Sequence, residues 1–243
     1  RAFAAANVHD IFNLCSVAVL FPLQVATGFI EKIAHVGAEA FSGVGGLKFA
    51  SPIKLATTPV VDGVVELCNH NGLIVLILGL LLLFVALKYI VSTLKGLVLT
   101  RVEEFFSNHI FRTTLRALLL GTVLTVLVQS SSITTSLIIP LVGAGILTIR
   151  QIYPYTIGAN IGTTVTAFLA ALATGSTSGV TVAFSHLVFN LCGTAIFLPL
   201  KALPIFLAEK LTEYALRSKL IPFLYLGIVF FLIPLLLIIL VKG

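Results

Sequence analysis

The sequence predicts an all-α integral membrane protein with about five transmembrane spans and one re-entrant helical hairpin. Hydrophobic residues make up 58% of the 243 residues and charged residues only 10%, whereas soluble domains carry about 25% charged residues. Long apolar runs alternate with short polar segments, the pattern of a multi-pass helical bundle. The net charge of +6 lies mostly in those short segments. We therefore interpret it as charge that sets membrane orientation, and we do not expect a nucleic-acid surface.

Each predicted span is an apolar run that is long enough to cross the hydrocarbon core at 1.5 Å per residue. The runs are residues 11–30, 71–91, two within 151–200, and 220–241. Between them, glycines, prolines and mixed charges over 31–70 predict an extracellular loop. The basic, Phe-containing segment 92–116 predicts an amphipathic interfacial linker, and the basic segment 201–219 a cytoplasmic linker.

The hairpin is predicted from residues 117–149, about 33 residues that contain no Asp, Glu, Lys or Arg. This run is too long for one span and too short for two spans with a turn. The polar sequence QSSSITTS at 129–136 divides it into two arms of about 20 Å, shorter than the ~30 Å hydrocarbon core. We therefore expect a re-entrant hairpin whose broken tip lies near the middle of the membrane, where exposed backbone must be buried in protein or line a wet cavity. The positive-inside rule places residues 88–116, Arg150 and residues 201–219 in the cytoplasm.

An internal repeat relates residues 2–24 to residues 180–201, at an offset of 177 positions. The identical pairs are His9/His186, Phe12/Phe189, Asn13/Asn190, Leu14/Leu191, Cys15/Cys192, Ala18/Ala195, Pro22/Pro199 and Leu23/Leu200. Because the charge-derived topology gives the two copies opposite directions, we interpret them as an inverted repeat, which is typical of secondary transporters. The first copy has no hairpin sequence before it, so we expect this chain to be the C-terminal portion of a longer protein.

The repeat sets the predicted division of the chain. Residues 1–30 end the first inverted repeat, 31–70 form the loop, and 71–116 a span with its linker. Residues 117–200 form the core of the second repeat, and 201–243 a linker with the last span. Within each repeat copy, His9 with Asn13 and His186 with Asn190 are i, i+4 pairs that share a helix face. We expect interhelical hydrogen bonds from them, with a proton relay as the alternative.

The break at QSSS offers groups that bind small ions. Gln129 carries an amide, while Ser130, Ser131 and Ser132 carry hydroxyls and, at a helix break, free backbone N–H groups. A helix N-terminus attracts anions, and hydroxyl and carbonyl oxygens suit a hard cation. Neutral ligands of this kind hold ions without preventing their release.

A second motif, GANIGTT, follows at residues 158–164. Thr163 and Thr166 are three residues apart and share a helix face, which Asn160 is expected to extend. The alternative is that Gly158 and Gly162 form a small-residue packing face with no ligand role.

QSSSITTS followed by GANIGTT about 30 residues later resembles the type II sodium–phosphate cotransporter family, which carries QSSS once in each inverted repeat. The resemblance implies an inverted-repeat secondary transporter in the plasma membrane that takes up inorganic phosphate with sodium and needs no other cofactor. It implies phosphate binding by Gln129, Ser130, Ser131 and Ser132. For sodium, the implied residues are Gln129, Ser130, Asn160, Thr163, Thr164 and Thr166.

This sequence departs from the family pattern because the first QSSS is absent. Only half of the expected site is therefore present, and a missing N-terminal repeat or a second copy is needed to complete it. Two other classes stay open from the residues. One is an intramembrane serine hydrolase that uses Ser130–Ser132 with His186 as base, although no GxSxG sequence supports it. The other is a membrane scaffold without chemistry.

Overall fold

The computed structural model describes residues 1–41, 52–96, 110–174 and 176–242, and all regular structure in these ranges is helical. The helices are α1 (Ala2–Thr27), α2 (Phe29–Ala40), α3 (Pro52–Leu67), α4 (Gly72–Gly96), α5 (Thr114–Val128), α6 (Ser131–Gly143), α7 (Ile149–Thr174), α8 (Thr177–Phe197), α9 (Ala202–Arg217), α10 (Leu220–Gly227) and α11 (Ile233–Lys242), with a π-helical turn at Ile228–Leu232 between α10 and α11. The prediction of an all-α protein is confirmed.

Within the described ranges, four helical segments are long and apolar enough to cross a membrane: Ala2–Thr27, Ile149–Ala173, Thr177–Phe197 and Leu220–Ile239. They coincide with four of the five predicted spans. The fifth prediction, residues 71–91, lies on α4, whose segment Gly72–Ala86 is apolar but shorter. All leucines and isoleucines of that segment except the half-buried Leu78 are exposed, as expected for side chains that face lipid.

The polar sequence QSSS breaks the apolar run into two short helices, as predicted. α5 has 15 residues and α6 has 13, so they extend only about 22 Å and 20 Å. The start of α5 and the turn after α6 lie together, because Ala117, Leu147 and Ile152 belong to one buried apolar cluster. The run therefore folds as a hairpin that leaves and returns at one end of the bundle. Its depth in the membrane and the side from which it enters stay predictions.

α5 and α7 pack with their backbones almost in contact. A Cβ on Gly158 would collide with the backbone of Leu118, and one on Gly121 with the backbone of Tyr155. Thr122 strengthens the crossing, because its hydroxyl shares its proton between the carbonyl oxygen of Leu118 on its own helix and that of Gly158 on the facing helix, each 3.0 Å away. Small residues that allow such close approach are typical of helix packing in membranes. The packing interpretation of the GANIGTT glycines is thus correct for Gly158.

α1 and α8, which contain the two segments of matching sequence, lie against each other and run in opposite directions. The ring of Phe12 stacks edge-on against Phe197 with centroids 6.4 Å apart, and one turn further along α1 the side chain of Ser16 lies against Gly193. Contacts that rise along one helix as they descend along the other define an antiparallel pair. This geometry keeps the turn after α6, the start of α1 and part of α9 at one end of the bundle, where they line a common cavity.

The prediction of a loop over 31–70 is wrong for most of its length, since α2 and α3 occupy much of it. α2 is amphipathic: Ile30, Ala34 and Ala38 recur at every fourth residue and are buried. It packs on α8, where the ring of Phe184 covers Gly37. Glycines and charges suggested a loop, but charges on the exposed face of such a helix are compatible with it.

The two other predicted linkers, residues 92–116 and 201–219, have different outcomes. Most of the interfacial segment 92–116, residues 97–109, lies outside the described residues, and its last three residues begin α5. The segment 201–219 is mainly the helix α9, which packs on α1 and buries Ile205 and Ala208. Its polar side is exposed and carries an ion pair of Lys210 with Glu213 at 2.8 Å.

Candidate functional site

The tip of the hairpin is a helix break held by two consecutive residues of unlike conformation. Gln129 ends α5 with φ 57°, in the left-handed region, and Ser130 follows in extended conformation as the N-cap of α6. The Ser130 hydroxyl oxygen accepts a 3.3 Å hydrogen bond from the Ile133 N–H, and the Ser130 carbonyl accepts one of 2.9 Å from the Thr134 hydroxyl. Serine is among the best N-cap residues, so the sequence itself specifies where the break falls.

Below the tip, the second arm is anchored to the bundle. The buried Tyr155 of α7 donates a 3.0 Å hydrogen bond from its hydroxyl to the carbonyl oxygen of Thr134. Thr134 is itself fully buried. The first turn of α6 is therefore fixed against α7, which positions the break relative to the second motif.

The first N–H groups of α6 provide donors for an anion. Among the described residues, the backbone N–H groups of Ser130, Ser131 and Ser132 have no hydrogen-bond acceptor. The positive end of the α6 dipole lies at the same position. Ser132 is exposed and Ser130 and Ser131 are half-buried, so these groups are accessible. Such an arrangement binds phosphate or carboxylate through neutral hydrogen-bond donors.

A cleft of about 320 Å³ brings the two motifs together. Its lining is Gln129, Thr163, Thr166, Ala167, Leu169, Ala170 and Ala173. The prediction that Thr163 and Thr166 share one face is confirmed, and the structure adds that this face meets the tip of the hairpin. Three of these lining residues are polar and four are apolar, and none carries a charged side chain.

The threonine hydroxyls of the cleft are oriented as acceptors. Thr163 donates its proton to the Ala159 carbonyl at 3.0 Å, and Thr166 to the Thr163 carbonyl at 2.8 Å. Each hydroxyl oxygen thus keeps its lone pairs for a ligand outside the helix. Oxygen lone pairs without a competing proton are suited to a hard cation. The part of the chain that the structure describes contains no group of three or more His, Cys, Asp or Glu that could hold a metal ion.

Asn160 lies three residues before Thr163 on α7 but is not among the residues that line this cleft. Its Nδ2 donates to Asn13 Oδ1 at 2.9 Å and to Asn190 Oδ1 at 3.1 Å. A step of three residues turns a helix by about 300°, so each step displaces the face by about 60°, and two such steps separate Asn160 from Thr166. The predicted interhelical hydrogen bonds of Asn13 and Asn190 are confirmed, with Asn160 as their shared partner.

Two other residues of the GANIGTT motif, Thr164 and Gly162, make contacts inside the bundle. Thr164 is fully buried and donates to the Ile161 carbonyl at 2.6 Å. Gly162 packs against Thr125 of α5, so the second glycine of GANIGTT also has a packing role. Reasoning from sequence missed Thr125, whose buried hydroxyl oxygen has no partner among the described residues. Its position four residues before the break was the available signal.

The fold and the cleft define a class: a polytopic helical membrane protein in which a broken hairpin and a polar helix face form a shared cleft. Comparison with known proteins specifies it further. The family model for Na+/Pi-cotransporters matches residues 80–236, more than half of the chain. The chain therefore belongs to the Na+/Pi-cotransporter family. This is a family of transporters and not of enzymes, so we set the hydrolase alternative aside.

Comparison with individual proteins supports the same family assignment. The chain is 31% identical over 311 residues to sodium-dependent phosphate transport protein 2A of Rattus norvegicus, covering 96% of this chain and 49% of that protein. It is 30% identical over 331 residues to sodium-dependent phosphate transport protein 2B of Bos taurus and of Homo sapiens, each time covering 97% of this chain and 48% of the relative. The chain spans about half the length of the curated relatives it matches. No solved structure matches it.

Proposed function

We propose that the protein is part of a sodium-coupled symporter of inorganic phosphate in the plasma membrane, and that this chain supplies one half of the binding site. The observation that carries the proposal is the position of Gln129. It lies at the helix break and lines the same cleft as Thr163 and Thr166, so that donors for an anion and oxygens for a cation are adjacent.

The proposed phosphate ligands are the side chain of Gln129 and the N–H and hydroxyl groups of Ser130, Ser131 and Ser132. A phosphate oxygen accepts hydrogen bonds, which the α6 N-terminus supplies, and the helix dipole favours its negative charge. Binding by neutral groups also leaves the anion free to dissociate after translocation.

The proposed sodium ligands are oxygens of Gln129, Ser130, Asn160, Thr163, Thr164 and Thr166. Thr163 and Thr166 have the best support, because their hydroxyl protons are already donated to their own helix. Asn160 and Thr164 lie within one turn of Thr163 on the same helix.

Coupling between the two ions follows from charge. The residues that line the cleft carry no cationic side chain, and an isolated anion in an apolar surrounding is costly. A sodium ion held by the neighbouring oxygens supplies the compensating positive charge. Each ion then increases the affinity of the cleft for the other, and the effect is reciprocal.

The half-site proposal is supported by the antiparallel course of α1 and α8 and by the one-sided lining of the cleft. The described walls come from Gln129 and from one face of α7 only. We propose that a further inverted repeat, or a second copy of this chain, provides the opposite wall.

Uptake of radiolabelled phosphate into proteoliposomes tests the proposal. The chain is compared with a version extended by an upstream repeat, with sodium or potassium outside. We expect uptake only by the extended protein and only with sodium. Uptake by the chain alone would mean that two copies complete the site. Failure of both proteins to respond to sodium and phosphate would overturn the proposed function.

A further inference from the structure

Three asparagines from three helices meet at one point inside the bundle. Asn13 of α1 and Asn190 of α8 are equivalent positions of the repeat, and both present their Oδ1 to the Nδ2 of Asn160 on α7. Asn190 also donates a long 3.5 Å hydrogen bond to the Asn160 carbonyl oxygen. Asn160 and Asn190 are buried, and Asn13 is half-buried.

These contacts determine the orientation of the Asn160 amide. An amide nitrogen has two protons, and both are used by the two Oδ1 acceptors. With the Asn13 and Asn190 amides oriented as in this structure, a flipped Asn160 amide would place its oxygen against two other oxygens, which is unfavourable. The Oδ1 of Asn160 must therefore point away from Asn13 and Asn190. It has no hydrogen-bond donor among the described residues, and it is not among the buried atoms left without a partner, so it is accessible.

An accessible amide oxygen whose direction is fixed can coordinate a cation without first reorienting. Asn160 lies three residues before Thr163, about 4.5 Å of rise along the helix, and the Thr163 hydroxyl oxygen is likewise oriented as an acceptor. We propose that Asn13 and Asn190 are positioning residues for sodium: they hold the Asn160 amide so that its oxygen, and not its N–H group, faces the ion. This inference rests on the proposed sodium-coupled function.

The inference predicts effects on sodium affinity that a general loss of packing would not give. Asn13→Leu and Asn190→Leu remove one acceptor each, and the freed Asn160 amide then samples the wrong orientation. We expect sodium affinity to fall about tenfold, the size of one lost hydrogen bond. Asn13→Asp keeps an acceptor oxygen in place and should retain affinity within about threefold. Asn13→Ala provides a second deletion with less added bulk.

Asn7 is the matched control. It is a buried asparagine on the same helix as Asn13, but its Nδ2 donates only to the Phe3 carbonyl of its own helix, at 2.9 Å. Asn7→Leu should therefore leave sodium affinity unchanged.

The experiment measures the melting temperature of the purified protein, extended by an upstream repeat, in detergent as sodium replaces choline at constant ionic strength, which gives a sodium dissociation constant. A double-mutant cycle adds the decisive comparison: Asn13→Leu should change nothing further in an Asn160→Ala background. Equal sodium affinity of the Asn13 and Asn190 variants and the unaltered protein, or additive losses in the cycle, would overturn this inference alone. If the unaltered protein shows no sodium response, the proposed function fails and this inference with it.

Discussion

The hydroxyl of Tyr155 on α7 donates a 3.0 Å hydrogen bond to the carbonyl oxygen of Thr134, within the first turn after the helix break. Thr134 in turn donates from its hydroxyl to the carbonyl of Ser130. A chain of two hydrogen bonds thus connects the long helix that bears Thr163 to the residue that caps the second arm. The relative position of the two motifs depends on this connection.

Tyr155→Phe tests the connection. The substitution removes the hydroxyl, while the ring keeps its contact with Phe111, whose centroid is 5.8 Å away. We expect a loss of about 1 kcal/mol in stability and weaker phosphate binding, because the α6 N-terminus is less fixed. Denaturation in detergent measures the first effect. The control is Tyr214→Phe on the exposed face of α9, which should change neither quantity, and an equal loss there would contradict the account.

Gly158→Ala tests the close crossing of α5 and α7. A methyl group at this position meets the backbone of Leu118, which cannot move as a flexible side chain would, so the two helices must separate. Overpacking of this kind costs about 1–3 kcal/mol. Gly79→Ala is the matched control, since no heavy atom of the described residues lies within 4 Å of the added methyl group there. It should be neutral or slightly stabilising, because alanine favours the helix.

Gln129→Gly separates the role of Gln129 in the backbone of the helix break from its proposed role as a ligand. Its φ of 57° is strained for a residue with a side chain but not for glycine. We therefore expect unchanged or slightly higher stability together with at least a tenfold loss of phosphate and sodium affinity. Equilibrium binding of radiolabelled phosphate, alongside thermal denaturation, measures both. Retained binding would show that the Gln129 side chain is not a ligand.

Ser130→Asp tests the anion site by adding a negative charge, the same sign as that of phosphate, at the N-cap. Aspartate caps helices as well as serine does, so stability should be preserved, whereas Ser130→Ala should cost about 1 kcal/mol. The added carboxylate lies where we place the phosphate, and repulsion should abolish phosphate binding. Unimpaired phosphate binding by Ser130→Asp would exclude the α6 N-terminus as the anion site.

Sequence reasoning predicted much of this architecture because two signals were strong. The apolar run 117–149 is too long for one span and too short for two. Its interruption by Gln129 and three serines indicated the helix break directly. The shared face of Thr163 and Thr166 followed from helical spacing. Membership of the family was predictable from the same two motifs.

Other features depend on tertiary contacts that spacing does not encode. Helix α2 was missed because a short amphipathic segment with glycine and charges resembles a loop until its partner, α8, is known. The direction of the Asn160 amide was missed because its partners, Asn13 and Asn190, are 147 and 30 residues away in sequence. Whether Gly158 permits ligand access or helix contact was likewise undecided until α5 was placed against it.

The most direct test of the central claim is the sodium dependence of phosphate binding at equilibrium, measured with radiolabelled phosphate on the reconstituted protein extended by an upstream repeat. Thr163→Val is compared with Thr181→Val, whose hydroxyl makes a similar bond to its own helix, at 3.0 Å, away from the cleft. The account predicts that phosphate binds only with sodium, that Thr163→Val raises the sodium requirement about tenfold or more, and that Thr181→Val does not. Phosphate binding that is independent of sodium, or equal losses in both variants, would contradict it.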